Sequence, residues 1–247
     1  MIAKWLKESK YVVFFTGAGM STESGVKDFR SQDGLWHGKD PQLLASKDAM
    51  RHNRKEFVEF YRNRIEALHH VQPHQGYHIL TTWAEQIKLR SIITQNTDGL
   101  HEQAGNSNVL SLHGTIRQLH CNSCGTKYST DKFIDGVHLY CDCGGFIRPS
   151  VVLFGESLNA DLLTAANKEA RKADLFIVLG SSLVVSPANY YPLIAKENNA
   201  KLVIVNFDST PLDDIADAVI HNRRIGDVLK ELSDDLHSGM NNEMKEV

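Results

Sequence analysis

The chain has 247 residues, enough for one large domain or for one domain with a smaller insert. Charged residues make up 23% and the formal net charge is −3, which argues against a protein that binds nucleic acid through its phosphates. The N-terminal segment lacks the apolar run and cleavage site of a leader, and no later stretch is apolar for long enough to cross a membrane. We expect a soluble cytoplasmic protein with no membrane partner and no specific nucleic-acid partner.

Short runs rich in Val, Ile and Leu recur along the chain, and most are continuously apolar. They lie at 11–15, 91–94, 109–112, 175–180, 202–205 and 218–220. Unbroken apolar runs are typical of strands buried on both faces of a parallel sheet. Helical patterns lie between them, at 158–172 and at 187–198, where Pro187 suits a first turn. This alternation predicts an α/β fold with a doubly wound, mostly parallel, Rossmann-like sheet.

Two segments interrupt the alternation and predict a smaller module inserted into the sheet domain. In 41–71, apolar side chains from Phe57 to Leu68 recur at helical spacing, and 120–148 is polar and holds all four cysteines. The predicted division is 1–40, 72–119 and 149–237 for the sheet domain, 41–71 and 120–148 for the helical and cysteine-bearing parts of the small domain, and 238–247 for a polar tail.

A glycine-rich loop, GAGMSTESGVKDFR (17–30), follows the first apolar run. Its glycines and a helix that Ser21 could cap would place backbone N–H groups where a pyrophosphate can bind. A simple strand-to-helix turn is the alternative, because Thr22 stands where a dinucleotide fingerprint has its third glycine. The extension DFR (28–30) favours a site that does chemistry on the bound nucleotide.

The segment 17–36 resembles the signature loop of the sirtuins, the NAD-dependent protein deacylases. Further segments resemble that family's motifs in the family's order: TQNTD (94–98), LHG (112–114), CNSC (121–124), CDCGG (141–145), RPSVVLFGE (148–156), GSSL (180–183) and VNFD (205–208). The resemblance implies that NAD is consumed. An acyl-lysine oxygen attacks the ribose, nicotinamide leaves, and an O-acyl-ADP-ribose forms.

The resemblance also implies a catalytic base and a cofactor site. His113 would take a proton from a ribose hydroxyl, because a histidine titrates near neutral pH. The residues that would contact NAD are Gly17, Ala18, Gly19, Ser21, Asp28, Phe29, Arg30, Trp36, Gln95, Asn96, Asp98, Gly180, Ser181, Ser182, Asn206, Asp208 and Ile225.

Within this set, Asn96 and Asp98 would hold the nicotinamide carboxamide and Gln95 the ribose hydroxyls. Taken alone, this segment also suits a turn after a strand. Phe29 would lie over the ribose and Arg30 would bind the phosphates. Asp28 would lie in the half of the pocket that holds the nicotinamide.

The cysteines, Cys121, Cys124, Cys141 and Cys143, cluster in a way that favours metal ligation over disulfides in a reducing compartment. Four thiolates predict a closed, structural zinc site. The second pair is CDC where the family usually has CxxC, so whether it completes a four-ligand site is open.

The implied substrate is an acyl-lysine protein or peptide that pairs with the loop holding Val152, Phe154, Gly155 and Glu156. The helical insert carries Tyr61 and Arg64, which match the Tyr-x-x-Arg of sirtuins that remove succinyl or malonyl groups. A phenol and a guanidinium can bind the carboxylate of such a group. A surface arginine beside a core tyrosine is the alternative.

Two departures from the family pattern are Lys27, where proline is usual, and Thr97, where isoleucine is usual. Three other functions compete with deacylation. A dehydrogenase is disfavoured by the missing third glycine, and a zinc-ribbon nucleic-acid module by the acidic net charge. A protein mono-ADP-ribosyltransferase is the alternative that the sequence leaves open.

Overall fold

The computed structural model describes residues 1–136 and 138–243. The strands are β1 (Val12–Thr16), β2 (Leu89–Thr94), β3 (Val109–Ser111), β4 (Gly114–Cys121), β5 (Lys127–Tyr128), β6 (Ile147–Val151), β7 (Leu175–Leu179), β8 (Lys201–Val205) and β9 (Ala218–Ile220). The α-helices are α1 (Ile2–Glu8), α2 (Pro41–Leu44), α3 (Lys47–His52), α4 (Arg54–Ala67), α5 (Gln75–Gln86), α6 (Leu100–Gln103), α7 (Asp131–Asp135), α8 (Ala160–Lys172), α9 (Tyr190–Glu197) and α10 (Ile225–Glu243). Two short 3₁₀ helices span Ala18–Ser24 and Asp213–Ile215.

The larger sheet has six strands in the order β3-β2-β1-β7-β8-β9, and every neighbouring pair is parallel. All residues of β1 and β7 are buried, as their unbroken apolar sequences predict. The strand order reverses between β1 and β7, and α/β sheets bind ligands outside the carboxyl ends of strands at such a point. The predicted doubly wound fold is confirmed.

Helices cover both faces of this sheet, because successive side chains of each strand point to opposite faces. Phe14 packs with α1, α5 and α10, whose buried side chains include Trp83 and Leu229. Phe15 and Phe176 pack on the other face with α8 and α9. The two cores hold the carboxyl ends of the strands in fixed positions.

The smaller sheet is antiparallel, in the order β5-β4-β6, and packs with α2, α3, α4 and α7. Phe57, Tyr61 and Ile65 of α4 are buried against Ile116 and Phe146. β4 and β6 extend beyond the predicted cysteine-bearing segment at both ends, since they pair from Gly114 to Val151. The domain boundaries themselves stay a prediction.

Two helix ends differ from the sequence prediction. α9 begins at Tyr190, so Pro187 lies in the preceding turn and not in the helix. α10 continues through Glu243 and so includes 238–243 of the segment predicted as a polar tail, whereas 244–247 lie outside the described residues. In the part of the chain that the structure describes, no helix combines the length and apolar composition that a membrane crossing requires.

Candidate active site

A cavity of about 950 Å³ lies where the loops after β1, β7 and β8 face α4 and the loop after β6. The predicted residues that line it are Gly17, Ala18, Gly19, Asp28, Phe29, Arg30, Trp36, Tyr61, Arg64, Gln95, His113, Val152, Phe154, Gly155, Glu156, Gly180, Ser181, Ser182, Asn206, Asp208 and Ile225. Residues separated by up to two hundred positions in the chain therefore meet at one site. Ser21, Asn96 and Asp98 lie behind its wall.

The glycine loop is shaped by its contact with the loop after β7. A Cβ atom on Gly17 would lie 2.6 Å from the carbonyl oxygen of Gly180, and one on Gly19 would lie 2.7 Å from the Gly180 Cα. The N–H of Gly17 donates to the carbonyl of Leu179 (3.0 Å), and that of Gly19 to the carbonyl of Gly180 (2.9 Å). These glycines thus allow two loops to approach closely, and their own N–H groups are not free for a pyrophosphate.

The ring of His113 has a defined tautomer. Its Nδ1 lies 3.0 Å from the main-chain oxygen of Gln95, which can only accept, so Nδ1 carries the hydrogen. Burial lowers the pKa of His113, although the hydrogen bond to Gln95 opposes this shift. The imidazole is therefore neutral at pH 7, with an unprotonated Nε2 available as a base.

The turn after His113 fixes its backbone. Gly114 has a φ of 74°, and a Cβ there would collide with the carbonyl oxygen of Ser150. The carbonyl of His113 accepts from the N–H of Val152 (2.9 Å), which ties His113 to the loop after β6. His113 and the predicted substrate loop therefore form one hydrogen-bonded unit.

Ser21, Asn96 and Asp98 form a buried network with one another. The Ser21 hydroxyl donates to Asp98 Oδ2 (2.7 Å), and Asn96 Nδ2 donates to the Gly17 carbonyl (2.9 Å) and to Ser21 Oγ (3.0 Å). Ser21 lies inside a 3₁₀ helix without capping it, contrary to the expected cap. Burial raises the pKa of Asp98. The network braces the glycine loop, and its predicted contact with nicotinamide stays a prediction.

The Asp28 carboxylate also accepts hydrogen bonds from the protein itself. Its Oδ1 accepts the N–H groups of Arg30 (3.0 Å) and Ser31 (2.9 Å), which closes the end of the glycine loop. Phe29 stacks on Trp36 with ring centroids 5.3 Å apart. The loop thus presents an aromatic wall and the Arg30 guanidinium to the cavity.

Arg64 lies at the cavity among three aromatic rings. Its guanidinium carbon is 5.3 Å from the Phe29 ring, 5.6 Å from Phe60 and 5.9 Å from Tyr61. Burial lowers the pKa of Arg64 and raises that of Tyr61 to about 12. Nη2 donates to Thr97 Oγ1 (3.4 Å), and no carboxylate within residues 1–136 and 138–243 pairs with this guanidinium.

The predicted substrate loop is anchored on both sides. Arg148 donates from Nη1 and Nη2 to the two carboxylate oxygens of Glu156 (2.8 and 2.9 Å), and Glu156 also accepts the Leu153 N–H (2.9 Å). Burial alone would raise the pKa of Glu156, but these hydrogen bonds hold it below its usual value. The N–H of Phe154 donates to the Ala45 carbonyl (3.0 Å). The Glu156 carboxylate is therefore bound within the protein, and the predicted pairing of this loop with the substrate main chain stays a prediction.

The opposite end of the cavity includes residues that the sequence analysis missed. Phe207, Arg223 and Arg224 line it beside the predicted Asn206 and Asp208. Two consecutive arginines before the N-terminus of a long helix were a usable signal, since both the charges and the helix end favour phosphate. With Arg30 they give the cavity cationic groups for a dinucleotide, and its volume is typical of a cofactor site.

The four cysteines come together away from the cavity. Their sulfur atoms all lie within 4.8 Å of one another, with Cys121–Cys143 at 3.5 Å and Cys124–Cys141 at 3.6 Å. Zn–S bonds of about 2.3 Å in a tetrahedron give S–S separations of about 3.8 Å. The CDC pair thus completes a four-thiolate site that fits a structural zinc ion. None of the four cysteines lines the cavity.

A Rossmann-like sheet, a small antiparallel sheet with four clustered cysteines, and a cavity that holds a neutral histidine at the carboxyl ends of the parallel strands are typical of enzymes that act on a bound nucleotide. Residues 17–187 match the profile of the Sir2 family, and the chain belongs to that family. The predicted resemblance to the sirtuins is confirmed.

Relatives share nearly the whole chain. An NAD-dependent protein deacetylase of Halalkalibacterium halodurans is 61% identical over 231 residues, which cover 94% of this chain and 97% of that protein. The structure of a Sir2 homologue in complex with ADP-ribose has a TM-score of 0.92 at 38% identity and covers 97% of both chains. A Sir2 structure with a deacetylated p53 peptide and 3′-O-acetyl-ADP-ribose has a TM-score of 0.90 at 36% identity, covering 95% of this chain and 96% of that one.

Proposed function

We propose that this chain removes acyl groups from protein lysines and consumes NAD, with release of nicotinamide and an O-acyl-ADP-ribose. The observation that carries the proposal is His113, whose Nε2 is unprotonated at the wall of a cavity that fits a dinucleotide. The deacetylase relative supports it, as does the neighbouring structure that holds a deacetylated peptide and an acetyl-ADP-ribose.

The chemistry follows from the groups that line the cavity. NAD supplies an electrophilic ribose carbon when its nicotinamide leaves. Nε2 of His113 accepts a proton from a ribose hydroxyl, and Gln95 keeps the ring in the tautomer that can do so. Phe29 and Trp36 form an apolar wall that excludes water from the reacting carbon. Arg30 binds phosphate.

The acyl group lies beside α4. Tyr61 and Arg64 both line the cavity, and the Arg64 guanidinium has no carboxylate partner among the described residues. A half-buried cation that pairs with no carboxylate favours an anionic guest. We therefore propose that the cavity accepts succinyl or malonyl groups as well as acetyl groups.

A mass-spectrometric assay tests both proposals. Peptides that carry acetyl-, malonyl- or succinyl-lysine are incubated with the protein and NAD, and nicotinamide, peptide and ADP-ribose products are quantified. Deacylation yields free lysine and O-acyl-ADP-ribose in equal amounts. Transfer of ADP-ribose to a protein acceptor without loss of acyl-lysine would favour the alternative activity.

Two variants, each assayed on succinyl- and acetyl-lysine peptides, test the acyl preference. Arg64→Met removes the charge but keeps an apolar chain, and Tyr61→Phe removes only the phenol oxygen. Both variants should lose succinyl removal by about tenfold or more and retain acetyl removal, since one charge-assisted hydrogen bond contributes about 1.5–3 kcal/mol. Equal loss on both substrates would contradict the role in acyl choice.

A further inference from the structure

His221 contacts Asn206 at one end of the cavity, and each of its two ring nitrogens faces a hydrogen-bond acceptor. Nδ1 of His221 lies 2.9 Å from the main-chain oxygen of Asn206, and Nε2 lies 2.9 Å from Asp213 Oδ2. A carbonyl and an ionised carboxylate can only accept hydrogen bonds. The ring therefore satisfies both contacts only when both nitrogens carry hydrogen, as the imidazolium ion.

Asp213 is held as an ionised acceptor by its own partners. The N–H and the hydroxyl of Thr210 donate to its two oxygens (2.9 and 2.6 Å). Burial raises the pKa of Asp213, but these hydrogen bonds and the contact with His221 outweigh it and lower the pKa overall. His221 thus joins Asn206, the residue after β8, to a fixed anion seven residues further along the chain.

The other charges around the ring leave this arrangement intact. The hydrogen bond to Asn206 raises the pKa of His221, and the carboxylates of Asp213 and Asp208 act in the same direction. Arg223 and Arg224 line the cavity and also pair with carboxylates, Arg223 with Glu231 and Arg224 with Glu23.

The segment that His221 fixes lines the cavity, whereas His221 itself does not. Asn206, Phe207 and Asp208 are lining residues. Asn206 also donates from Nδ2 to the Asp208 carbonyl (2.8 Å), so the position of one residue determines that of the other. A change at the ring therefore reaches the cavity through the main chain of Asn206.

We propose that protonated His221 is a positioning residue for NAD, which holds the 206–208 segment ready for the adenosine half of the cofactor. The inference rests on the proposed function, because it requires NAD to bind at Asn206 and Asp208. The ordering of the 206–208 segment is complete below pH 6.5, the usual pKa of a histidine. It is lost as the pH rises through the raised pKa of His221 in the folded protein. Affinity for the nucleotide then falls with rising pH, and by reciprocity nucleotide binding raises the pKa of His221 further.

The test is calorimetric binding of NAD and of ADP-ribose between about pH 6 and about pH 9, the range in which a histidine titrates. The wild-type protein should bind both ligands about five- to tenfold more weakly at the upper end, the effect of one or two hydrogen bonds. His221→Gln should bind with the weaker affinity at every pH, with kcat at saturating NAD unchanged. The matched control is His78→Gln, at an exposed position on α5, which should behave as wild type.

A second measurement does not depend on any variant folding. An NMR titration of the wild-type histidine ring protons should assign His221 a pKa above 6.5 that increases when ADP-ribose is added. A pKa unaffected by ADP-ribose, or a pH dependence of binding that survives in His221→Gln, would overturn the inference. Absence of NAD binding at every pH would instead contradict the proposed function.

Discussion

His113 and Gln95 share a hydrogen bond in which the imidazole Nδ1 donates to a main-chain oxygen 3.0 Å away. A main-chain acceptor has no side chain that could rotate away, so it fixes both the ring orientation and the tautomer. The same strand end that presents Gln95 to the cavity therefore determines which nitrogen of His113 can act as a base.

The first prediction concerns this base. His113→Ala should reduce acyl-lysine removal by about 10²–10⁴-fold, the usual contribution of a general base. NAD binding and the unfolding temperature should change little, because the ring lies at a cavity wall. Deacylation rates and calorimetric NAD binding are measured side by side. Wild-type turnover by the variant would contradict the assignment.

The pH dependence of the reaction follows from the same ring. Burial lowers the pKa of His113 below 6.5, so the neutral form predominates at a lower pH than it does for a free histidine. With NAD saturating, kcat/KM for an acetyl-peptide should rise with pH with its inflection below 6.5, the pKa of a free histidine. An inflection above neutrality would show that another group controls the rate.

The ion pair between Arg148 and Glu156 should hold the substrate loop. Its side chains are only 6% and 22% exposed, so Glu156→Gln leaves a buried guanidinium partly uncompensated. We expect a loss of about 3 kcal/mol in the free energy of unfolding and a higher KM for the peptide.

Replacement of both partners provides the control for the loop. Arg148→Met combined with Glu156→Met removes the stranded charge and should recover most of the stability. It should not restore the peptide KM, because the Leu153 N–H still lacks the acceptor that Glu156 provides. Urea unfolding and steady-state kinetics separate the two effects, and a normal KM in the double variant would contradict the anchoring role.

A hydrogen bond to one thiolate should tune the zinc site. The Tyr128 hydroxyl donates to Cys141 Sγ at 3.0 Å. Tyr128→Phe should weaken zinc retention against a chelator by about 10- to 100-fold, as loss of an outer contact to a metal ligand typically does. Cys141→Ser should abolish stoichiometric zinc and unfold the β5-β4-β6 sheet. Metal analysis and circular dichroism provide the readout, and full zinc retention by Cys141→Ser would refute a four-thiolate site.

The buried His101 should make the fold sensitive to acid. Burial lowers the pKa of His101 from 6.5 to about 3, so the unfolded chain binds a proton that the folded chain excludes. The stability that neutral His101 contributes is fully present above the pKa that this residue has in the unfolded chain. It is lost as the pH falls toward the pKa that His101 has in the folded chain. Between about pH 7.5 and about pH 5 this group should account for about 2 kcal/mol.

Urea unfolding at the two pH values measures this loss. His101→Leu should show a shallower dependence on pH whatever its absolute stability, because the titrating group is gone. His52→Gln, at an exposed position on α3, should keep the wild-type dependence. An unchanged slope in His101→Leu would contradict the prediction.

Patterns within short segments were sufficient for much of this protein. Unbroken apolar runs predicted β1 and β7 as buried parallel strands, because a strand covered on both faces needs no polar side chains. The spacing of the four cysteines predicted a shared metal site even though its second pair departs from the family pattern. The resemblance of LHG (112–114) to the sirtuin motif implied His113 as the base.

The direction of each side chain was decided only in three dimensions. Asn96 and Asp98 follow Gln95 by one and three residues, yet of these three only Gln95 lines the cavity while the other two turn into a buried network. Glu156 belongs to the segment predicted to pair with the substrate main chain, and its carboxylate binds Arg148 within the protein. In each case the outcome depends on which donors and acceptors lie within hydrogen-bonding distance once distant segments have packed.

The sequence by itself determined the parallel sheet, the cysteine module and the chemical groups available at the site, because these depend on burial patterns and residue types along short stretches. The tertiary structure alone decided that Gly17 packs against Gly180, that Arg223 and Arg224 join the cavity, and that His221 supports Asn206. A buried polar group must find a partner, and the folded chain offers partners that no local pattern can specify.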